Sequence, residues 1–438
     1  MNILLINVSI IKSIESMGYA KQKTNSSFPS LGLTLLTSLT PEKHTVQYIE
    51  DSNEDIVFSK DYDLVGLSFY TPAAVRAYDI ADRFHELGVK VVMGGVHASA
   101  LPYEALEHAD VVAIGEAELI WPEILNDAEN NSLKQIYQQD HYIDMSDIPQ
   151  PARHILNKKK YITTNVIQAT RGCPLDCEFC SVKGMFGKKI RYQPVQKVIE
   201  DIKSMDNNII VFTDDNIAIN KKYTKELLTE MIPLKRKWIG EASWTIGKDE
   251  EILGLAKKSG CKALLIGFES IRPQTNVKKV SKEDDMKQLY LESIRNLRKH
   301  GIVILGAFIF GFDNDDNNTF DESLAFIKKS GIELVQISSL TPFPGTSLYD
   351  RHLHDNRIIT NDWRKYTYDP PGHCMEPKLI SSGELKTGIK KIYKKFYSRK
   401  RLPIIFFKVL LSSKSIVTAL YCLVVFFSFR KNVSYGYD

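Results

Sequence analysis

The stretch "TTNVIQATRGCPLDCEFC", residues 163–180, places three cysteines within eight residues, directly after a predicted strand. The chain has only six cysteines in 438 residues, so the C-x3-C-x2-C spacing is a local concentration. Cys173, Cys177 and Cys180 would supply soft thiolate ligands, which suit iron or zinc. Because a structural zinc site needs a fourth Cys or His nearby, the trio favours a [4Fe–4S] cluster with one iron open to a small chelating molecule. A structural metal site or unliganded core thiols are the alternatives.

The sequence around this loop predicts a barrel. Five further apolar runs follow it, and most are separated by helical patterns. Together with the strand before the cysteines they make six βα units, which indicates a partial (β/α)6 barrel. Polar residues come directly after these strands, at the edge where such barrels carry their active groups. The runs are "NIIVFTDDN" (208–216), "WIGEASW" (238–244), "ALLIGFES" (263–270), "IVILGAFIFGFD" (302–313) and "LVQISSL" (334–340).

The N-terminal part alternates continuous apolar strands with helical segments, the pattern of a parallel, doubly wound (Rossmann-like) sheet. Ligands of such sheets bind at the carboxyl ends of the strands, near a switch in strand order. The turns expected there are "SFYT" (68–71), "GGVHAS" (94–99) and "GEAE" (115–118). A phosphate-binding G-x-G-x-x-G is absent from the sequence, which argues against a dinucleotide ligand.

The sequence therefore divides into three parts: a doubly wound domain (1–140), a barrel (141–345) and a mostly helical C-terminal extension (346–438). The polar stretch 126–155 is interpreted as a linker or bridging loop between the first two.

Charge is unevenly distributed. The net charge of +4 by itself predicts no nucleic-acid partner, but the stretch 385–438 carries twelve Lys or Arg and one acid. That tail also contains an uninterrupted apolar run from Ser415 to Phe429, 15 residues long, which is shorter than the roughly 20 that a membrane span needs. We expect either an amphipathic anchor on a membrane surface or a helix that covers the barrel. The N-terminus lacks the basic region of an export signal, which predicts a cytoplasmic protein with reduced cysteines, with a peripheral position at the inner membrane face if the tail is an anchor.

The motif "CPLDCEFC" resembles the radical S-adenosylmethionine (SAM) enzymes. In that family the open iron of the cluster chelates SAM, and one-electron reduction, by an external flavodoxin- or ferredoxin-type donor, yields a 5′-deoxyadenosyl radical that abstracts a hydrogen from unactivated carbon. The resemblance implies that Phe179 packs beside the adenine of SAM. An ordinary loop aromatic is the alternative.

The resemblance also implies roles for residues at three strand ends. Asp214 and Asp215 would approach the methionyl amine of SAM, although a helix N-cap is equally compatible. Glu269 and Ser270 would bind the ribose hydroxyls, with a structural salt bridge as the alternative for Glu269. Gly306 would let the backbone approach the adenine, with a strand bulge as the alternative.

A doubly wound domain before such a barrel is similar to the cobalamin-binding radical SAM subfamily. Ser68, Thr71, Gly94 and Gly95 are the positions suited to the corrinoid and its tail. The D-x-H-x-x-G motif, whose His ligates cobalt in many cobalamin proteins, does not occur. His97 is expected to be a tail contact or a structural histidine. The alternatives are a sheet that binds a nucleotide and a sheet that binds no ligand.

The expected function is that of a cobalamin-dependent radical SAM enzyme that methylates an unactivated carbon of a natural-product or lipid-type substrate. A rearrangement, cyclisation or oxidation with the same cofactors is the first alternative. A non-catalytic iron–sulfur or zinc module is the second.

Overall fold

The computed structural model describes residues 1–15, 28–272, 283–368 and 372–435. The N-terminal part carries six parallel strands in the order β2-β1-β3-β4-β5-β6. Its elements are β1 (Asn2–Asn7), α1 (Ile10–Glu15), α2 (Leu31–Leu39), β2 (Thr45–Glu50), β3 (Leu64–Ser68), α3 (Ala74–Glu86), β4 (Lys90–Gly94), α4 (Val96–Ala100), α5 (Pro102–Ala105), β5 (Val111–Ile114), α6 (Trp121–Glu129) and β6 (Ile136–Gln138).

Alternation along β1 shows why helices cover both faces of this sheet. Leu4 and Ile6 pack with the apolar side of α3, whereas Ile3 and Leu5 pack with α2 and α6 on the other face. Since successive side chains of a strand point to opposite faces, a strand that is apolar throughout must be covered on both faces of the sheet. The doubly wound prediction is confirmed, and the strand order reverses between β1 and β3, where a ligand crevice is expected.

The second sheet is also parallel, in the order β14-β13-β12-β11-β10-β7. A short antiparallel pair, β8 and β9, lies beside it. The elements are β7 (Val166–Ile167), β8 (Thr170–Arg171), α7 (Val182–Phe186), β9 (Arg191–Tyr192), α8 (Val195–Ser204), β10 (Ile209–Phe212), α9 (Lys221–Met231), β11 (Lys237–Ser243), α10 (Glu250–Ser259), β12 (Cys261–Glu269), α11 (Glu283–Lys299), β13 (Val303–Phe310), α12 (Asn317–Ser330) and β14 (Leu334–Ser339). The six-stranded partial barrel is confirmed.

The strand predicted before the cysteines is interrupted. Only Val166 and Ile167 pair with β10, and the chain then leaves the barrel sheet so that Thr170 and Arg171 pair with β9 instead. At this point the carboxylate of Asp214 accepts hydrogen bonds from the backbone N–H groups of Ala169 (3.1 Å) and Thr170 (2.6 Å), in place of a neighbouring strand.

The stretch interpreted as a linker is ordered. It contains β6, and beyond that strand Ile143, Met145 and Ile148 are buried in a small apolar cluster with Leu35. Three apolar residues spaced two or three apart in a polar context carry too weak a periodicity to predict this packing.

The C-terminal extension is helical, with α13 (Ser347–His354), α14 (Ser382–Phe396), α15 (Leu402–Ser413) and α16 (Ile416–Tyr435). Helix α14 covers β14, the edge strand of the barrel sheet. The Tyr397 hydroxyl donates to the Val335 carbonyl (2.6 Å) and accepts from the Val335 N–H (2.9 Å). The Tyr393 hydroxyl does the same for Ile337, at 3.1 and 3.0 Å. Two side chains thus satisfy backbone groups that an edge strand would leave unpaired. Between residues 1 and 435, outside the gaps given above, no helix is both long and apolar enough to cross a membrane.

Candidate active site

The cysteine loop connects β8 to α7 and begins with a turn that only glycine fits. Gly172 has φ +85°, and a Cβ there would lie 2.4 Å from the Lys189 carbonyl oxygen. Cys173, Cys177 and Cys180 follow, are all partly buried, and line one cavity of about 290 Å³ at the carboxyl ends of β11 and β12. The loop therefore presents its three thiols to the mouth of the barrel.

The thiols lie in surroundings that disfavour an isolated thiolate. Burial, together with the nearby Asp215, Cys173 and Glu269, raises the pKa of Cys180 to about 11. A thiolate here needs a compensating positive charge, which iron supplies. No group of three or more His, Cys, Asp or Glu among the described residues is close enough to hold a single metal ion. Three soft thiolate donors on one cavity wall are the ligand type that binds iron–sulfur clusters.

Three carboxyl groups, those of Asp215, Glu241 and Glu269, line the same cavity. The pKa of Glu241 is raised to about 7 by burial and by the neighbouring Asp215 and Asp214. Burial and Glu241 raise the pKa of Glu269 to about 7, and burial raises that of Asp215 to about 6. Glu241 has an exposed side chain and lines this cavity. Carboxyl groups gathered in this way fit a ligand that carries positive charge, and SAM has both an ammonium and a sulfonium.

Two buried polar atoms at this wall lack a partner. Asp215 Oδ2 and Asn216 Nδ2 make no hydrogen bond to the described part of the chain. Buried polar atoms are almost always satisfied, and an exception needs an explanation. A polar ligand in the cavity provides one. Glu269 adds a second sign of functional constraint, since it has φ +63°, a conformation that costs a non-glycine residue roughly 1–3 kcal/mol.

Aromatic rings form the remaining wall. Phe179 lies edge-on to Phe312, with ring centroids 6.1 Å apart. Tyr290 packs edge-on against Trp244 (5.2 Å) and Phe268 (5.0 Å). Four of these five rings line the cavity, Phe312 being the exception. Flat apolar walls beside acidic groups suit a nucleoside with a charged tail.

Three residues predicted at this site lie outside the cavity lining. Asp214 is fully buried and holds β8 through Ala169 and Thr170. Ser270 is buried and accepts a hydrogen bond from the Arg272 N–H at 3.1 Å. Gly306 lies within β13, and a Cβ there would meet Ile332 and Phe308 at 3.2 Å. Of the predicted SAM contacts, Phe179, Asp215 and Glu269 are brought together with the cysteines.

A second, larger cavity of about 490 Å³ lies between the N-terminal sheet and the barrel mouth. The carboxyl ends of β1, β3, β4 and β5 form one side, at the switch in strand order. The small residues Ser68, Gly94 and Gly95 line it, with Gly66 and Gly115 beside them. A broad ligand can therefore approach the backbone closely, as a corrinoid requires.

The other two predicted cobalamin contacts are engaged elsewhere. His97 is fully buried, and its Nδ1 and Nε2 lie 3.2 Å from Thr71 Oγ1 and from the Tyr78 hydroxyl. Its ring lies edge-on to Trp363 at 5.1 Å. Neither Thr71 nor His97 lines the larger cavity. His97 is therefore packed in the interior of the N-terminal part and not on the wall of this cavity.

The two cavities share a wall. Asp215 lines both of them. Tyr70 projects into the larger cavity, where its side chain is 58% exposed. Its pKa is raised by burial within the cavity walls and by Asp215 and Glu241, which places it near the acidic groups of the smaller cavity. Ligands in the two cavities would therefore lie close to each other.

Buried ion pairs fix the relation of the two sheets. Arg171, two residues before Cys173, donates to Glu118 at 2.6 Å and lies 3.4 Å from Glu116, both in the loop after β5. Arg191 of β9 also pairs with Glu116, at 2.5 Å. The predicted "GEAE" turn thus lines the larger cavity and also binds the strand that leads into the cysteine loop.

The C-terminal extension holds the other side of the cysteine loop. Glu178, between the second and third cysteines, accepts from Arg351 of α13 at 2.8 Å. Arg351 and Arg357 both pair with Asp313, at 2.7 and 2.6 Å. The Leu348 N–H also donates to the Glu178 carbonyl at 2.9 Å.

Two family models match the chain. The Radical SAM superfamily matches residues 167–327, and the B12 binding domain matches residues 21–125. The chain belongs to the cobalamin-binding radical SAM enzymes, which use a [4Fe–4S] cluster, SAM and cobalamin.

Several of its relatives are named as methyltransferases. The chain is 33% identical over 380 residues to the bacteriochlorophyllide d C-12(1)-methyltransferase of Chlorobaculum tepidum, covering 84% of this chain and 82% of the relative. It is 27% identical to the hopanoid C-2 methylase of Rhodopseudomonas palustris, covering 78% of this chain and 67% of the relative. The fold matches that of TsrM from Kitasatospora setae, with a TM-score of 0.63, 14% identity and coverage of 89% and 90%. The chain is a radical SAM methyltransferase.

Proposed function

We propose that this enzyme transfers a methyl group to an unactivated carbon of a large, mostly apolar natural product or lipid. The observation that carries the proposal is the pair of cavities that meet at Asp215. Methylation of an unreactive carbon requires a hydrogen-abstracting group and a methyl donor within reach of one substrate atom, and two adjoining cavities meet that requirement. The relatives named for bacteriochlorophyllide and hopanoid act on large ring systems of this kind.

Each wall then has a proposed task. Cys173, Cys177 and Cys180 hold the cluster. Phe179, Asp215 and Glu269 surround SAM. Four residues that the sequence did not single out join them: Glu241, Asn216, Trp244 and Tyr290. Ser68, Gly94 and Gly95 line the corrinoid site.

The cofactors, when bound, supply the one-electron reduction, the hydrogen abstraction and the methyl group. The chain's own residues bind and orient the cofactors and the substrate, and they exclude water. The carboxylates of Glu241 and Glu269 neutralise the positive charge of SAM, and the aromatic wall shields it from water. An external flavodoxin- or ferredoxin-type protein delivers the electron.

The test is anaerobic reconstitution with cobalamin and with SAM that carries a deuterated methyl group. The probe substrates are a bacteriochlorophyllide and a hopene. Methyl transfer produces S-adenosylhomocysteine together with 5′-deoxyadenosine, and deuterium enters a probe or the cobalamin. A rearrangement or cyclisation would give 5′-deoxyadenosine without S-adenosylhomocysteine, and that result would contradict the proposal.

We propose further that the enzyme works in the cytoplasm, peripherally at the inner face of the membrane. Support comes from α15 and α16, which expose apolar side chains such as Phe407 (58%), Leu411 (77%) and Val424 (65%). Fractionation of cells that produce the full chain tests this: the chain should sediment with membranes and be released by alkaline carbonate. Recovery entirely in the supernatant of low-salt lysates would contradict it.

A further inference from the structure

The two last helices are apolar on the side that faces away from the barrel. Ala419, Cys422 and Phe426 of α16 and Ile405 and Val409 of α15 are buried in the barrel core. The opposite faces are exposed and still apolar, and residues 416–429 contain no charged side chain. The exposed set is Ile404, Phe407, Leu411, Ile416, Val417, Leu420, Tyr421, Val424 and Phe427, here called the outer apolar face.

Such a face implies contact with something apolar. A helix at the surface of a globular protein normally carries polar residues on its outer side, and a helix that is apolar all round is normally buried on all sides. Contiguous exposed apolar patches mark sites of protein or membrane contact.

A strongly basic cavity of about 660 Å³ lies directly beside this face. Five basic residues line it, together with Leu411 of the outer apolar face. They come from α11, α12 and α15: Arg295, Arg298, Lys299, Lys329 and Lys408.

The positive charge of this cavity is only partly balanced. Arg298 pairs with Glu333 at 2.9 Å, and Lys299 lies 3.5 Å from Glu250. Arg295, Lys329 and Lys408 have no ion pair with any residue of the described chain. Burial, followed by the repulsion of Arg298 and Arg401, lowers the pKa of Lys408, which is consistent with an excess of positive charge. An anionic ligand would remove this repulsion.

The basic cavity and the catalytic cavity lie at opposite ends of the barrel strands. Helix α11 ends at Lys299 and α12 at Ser330, just before β13 and β14 begin. The cysteines and Glu269 lie where strands end. Strand β13 has eight residues, so about 26 Å separates the two ends.

We propose that the basic cavity binds the headgroup of an anionic phospholipid while the outer apolar face enters the boundary of the acyl chains. The inference rests on the proposed membrane contact and adds the lipid class and the orientation. A bilayer presents anionic phosphate directly above hydrocarbon, which matches a basic cavity bordered by apolar side chains. In this orientation the mouth of the active site faces away from the bilayer, so the substrate enters from the aqueous side.

The test is co-sedimentation of the full chain with vesicles of phosphatidylcholine alone or mixed with phosphatidylglycerol. The wild type should prefer the mixed vesicles, and added salt should weaken that preference. R295Q/K329Q should lower partitioning into the mixed vesicles roughly tenfold. The matched control K60Q/K222Q removes two exposed lysines, one in the N-terminal part and one at the start of α9 at the catalytic end of the barrel, and should leave partitioning unchanged.

A second variant tests the apolar part. L420Q/V424S lies on the outer apolar face and should lose binding to both kinds of vesicle, with unchanged thermal unfolding and SAM binding. Equal binding of wild type to neutral and mixed vesicles would overturn the headgroup site while leaving the membrane contact standing. Failure to bind either vesicle would overturn both. A wild-type dimer that L420Q/V424S converts to monomer would show that a second copy covers the face, and would also overturn both.

Discussion

Arg171 donates a 2.6 Å hydrogen bond to Glu118, and both side chains are almost completely buried. The bond joins the loop after β5 of the N-terminal sheet to the residue that precedes the Gly172 turn of the cysteine loop. The pair thus holds the start of the cysteine loop against the turn that lines the larger cavity.

Replacing Glu118 by Gln should therefore destabilise the protein by about 3 kcal/mol, because it leaves the Arg171 charge buried and incompletely paired. Thermal or denaturant unfolding of the reconstituted enzyme measures this, and cluster retention should fall in parallel. The matched control is D176N, which removes two solvent-exposed pairs in the same loop, those of Asp176 with Lys183 and Lys188. Exposed pairs contribute little, so the control should unfold as the wild type does. Equal effects of the two variants would refute the role given to Arg171.

The cysteine assignment predicts a sharp difference among the six thiols. C177A should retain little iron after anaerobic reconstitution and should cleave no SAM, because one of the three cluster ligands is missing. C261A removes a thiol that is buried in β12, away from the cavity, and should keep both properties. Iron content, visible absorbance and 5′-deoxyadenosine yield provide the measurements. A C177A enzyme that retains its full iron content would contradict the assignment of these cysteines as cluster ligands.

The acidic wall predicts a pH dependence of SAM binding. Glu241 and Glu269 have pKa values raised to about 7, so they become charged as the pH rises through that value. Charged carboxylates bind the cationic SAM better, and affinity should increase roughly threefold to tenfold between about pH 6 and pH 8. The unliganded protein should become less stable as the pH rises from about 5 to about 7, because ionising a carboxyl whose pKa is raised by burial costs more free energy in the folded state than in the unfolded chain.

Titration calorimetry of the cluster-loaded enzyme would measure this dependence. E241Q should flatten it. S-adenosylhomocysteine lacks the sulfonium charge and should show a weaker dependence than SAM. An affinity for SAM that is constant across the interval would contradict the charge-based account.

The tyrosine contacts at the sheet edge predict a cost for removing either hydroxyl. Y397F leaves the N–H and C=O of Val335 without partners, and Y393F does so for Ile337. Each should lower the free energy of unfolding by about 2 kcal/mol, the usual penalty for buried unpaired groups. Y103F changes a side chain that is 77% exposed and should have no effect. Denaturant unfolding monitored by circular dichroism distinguishes the three variants.

Much of the architecture follows from the sequence, because continuous apolar strands, helical spacers and polar strand ends are local signals. The same signals predicted that Asp215 and Glu269 lie at the mouth of the barrel, and both line the cavity that contains the cysteines. Local patterns do not determine which of two adjacent aspartates faces inward. Asp214 and Asp215 point to different sides, so one holds the backbone of β8 and the other faces both cavities.

Other parts of the site depend on contacts between distant segments. Glu241 lies inside the apolar run "WIGEASW", and a lone acid in a buried strand was the signal that could have identified it. The pairing of Glu178 with Arg351 joins residues 173 positions apart, which no periodicity reveals. His97 lies in a glycine turn of the kind that often contacts ligands. Its side chain is nevertheless fully buried in the protein interior.

The shared wall at Asp215 has a consequence for how the enzyme is loaded. A positive charge bound on one side of this carboxylate stabilises its ionised form and so alters the electrostatic potential on the other side. Thermodynamic reciprocity then requires each cofactor to change the affinity of the other by the same factor. Cobalamin and SAM should therefore not bind independently. A ligand in one cavity should change the affinity of the other cavity for its own ligand.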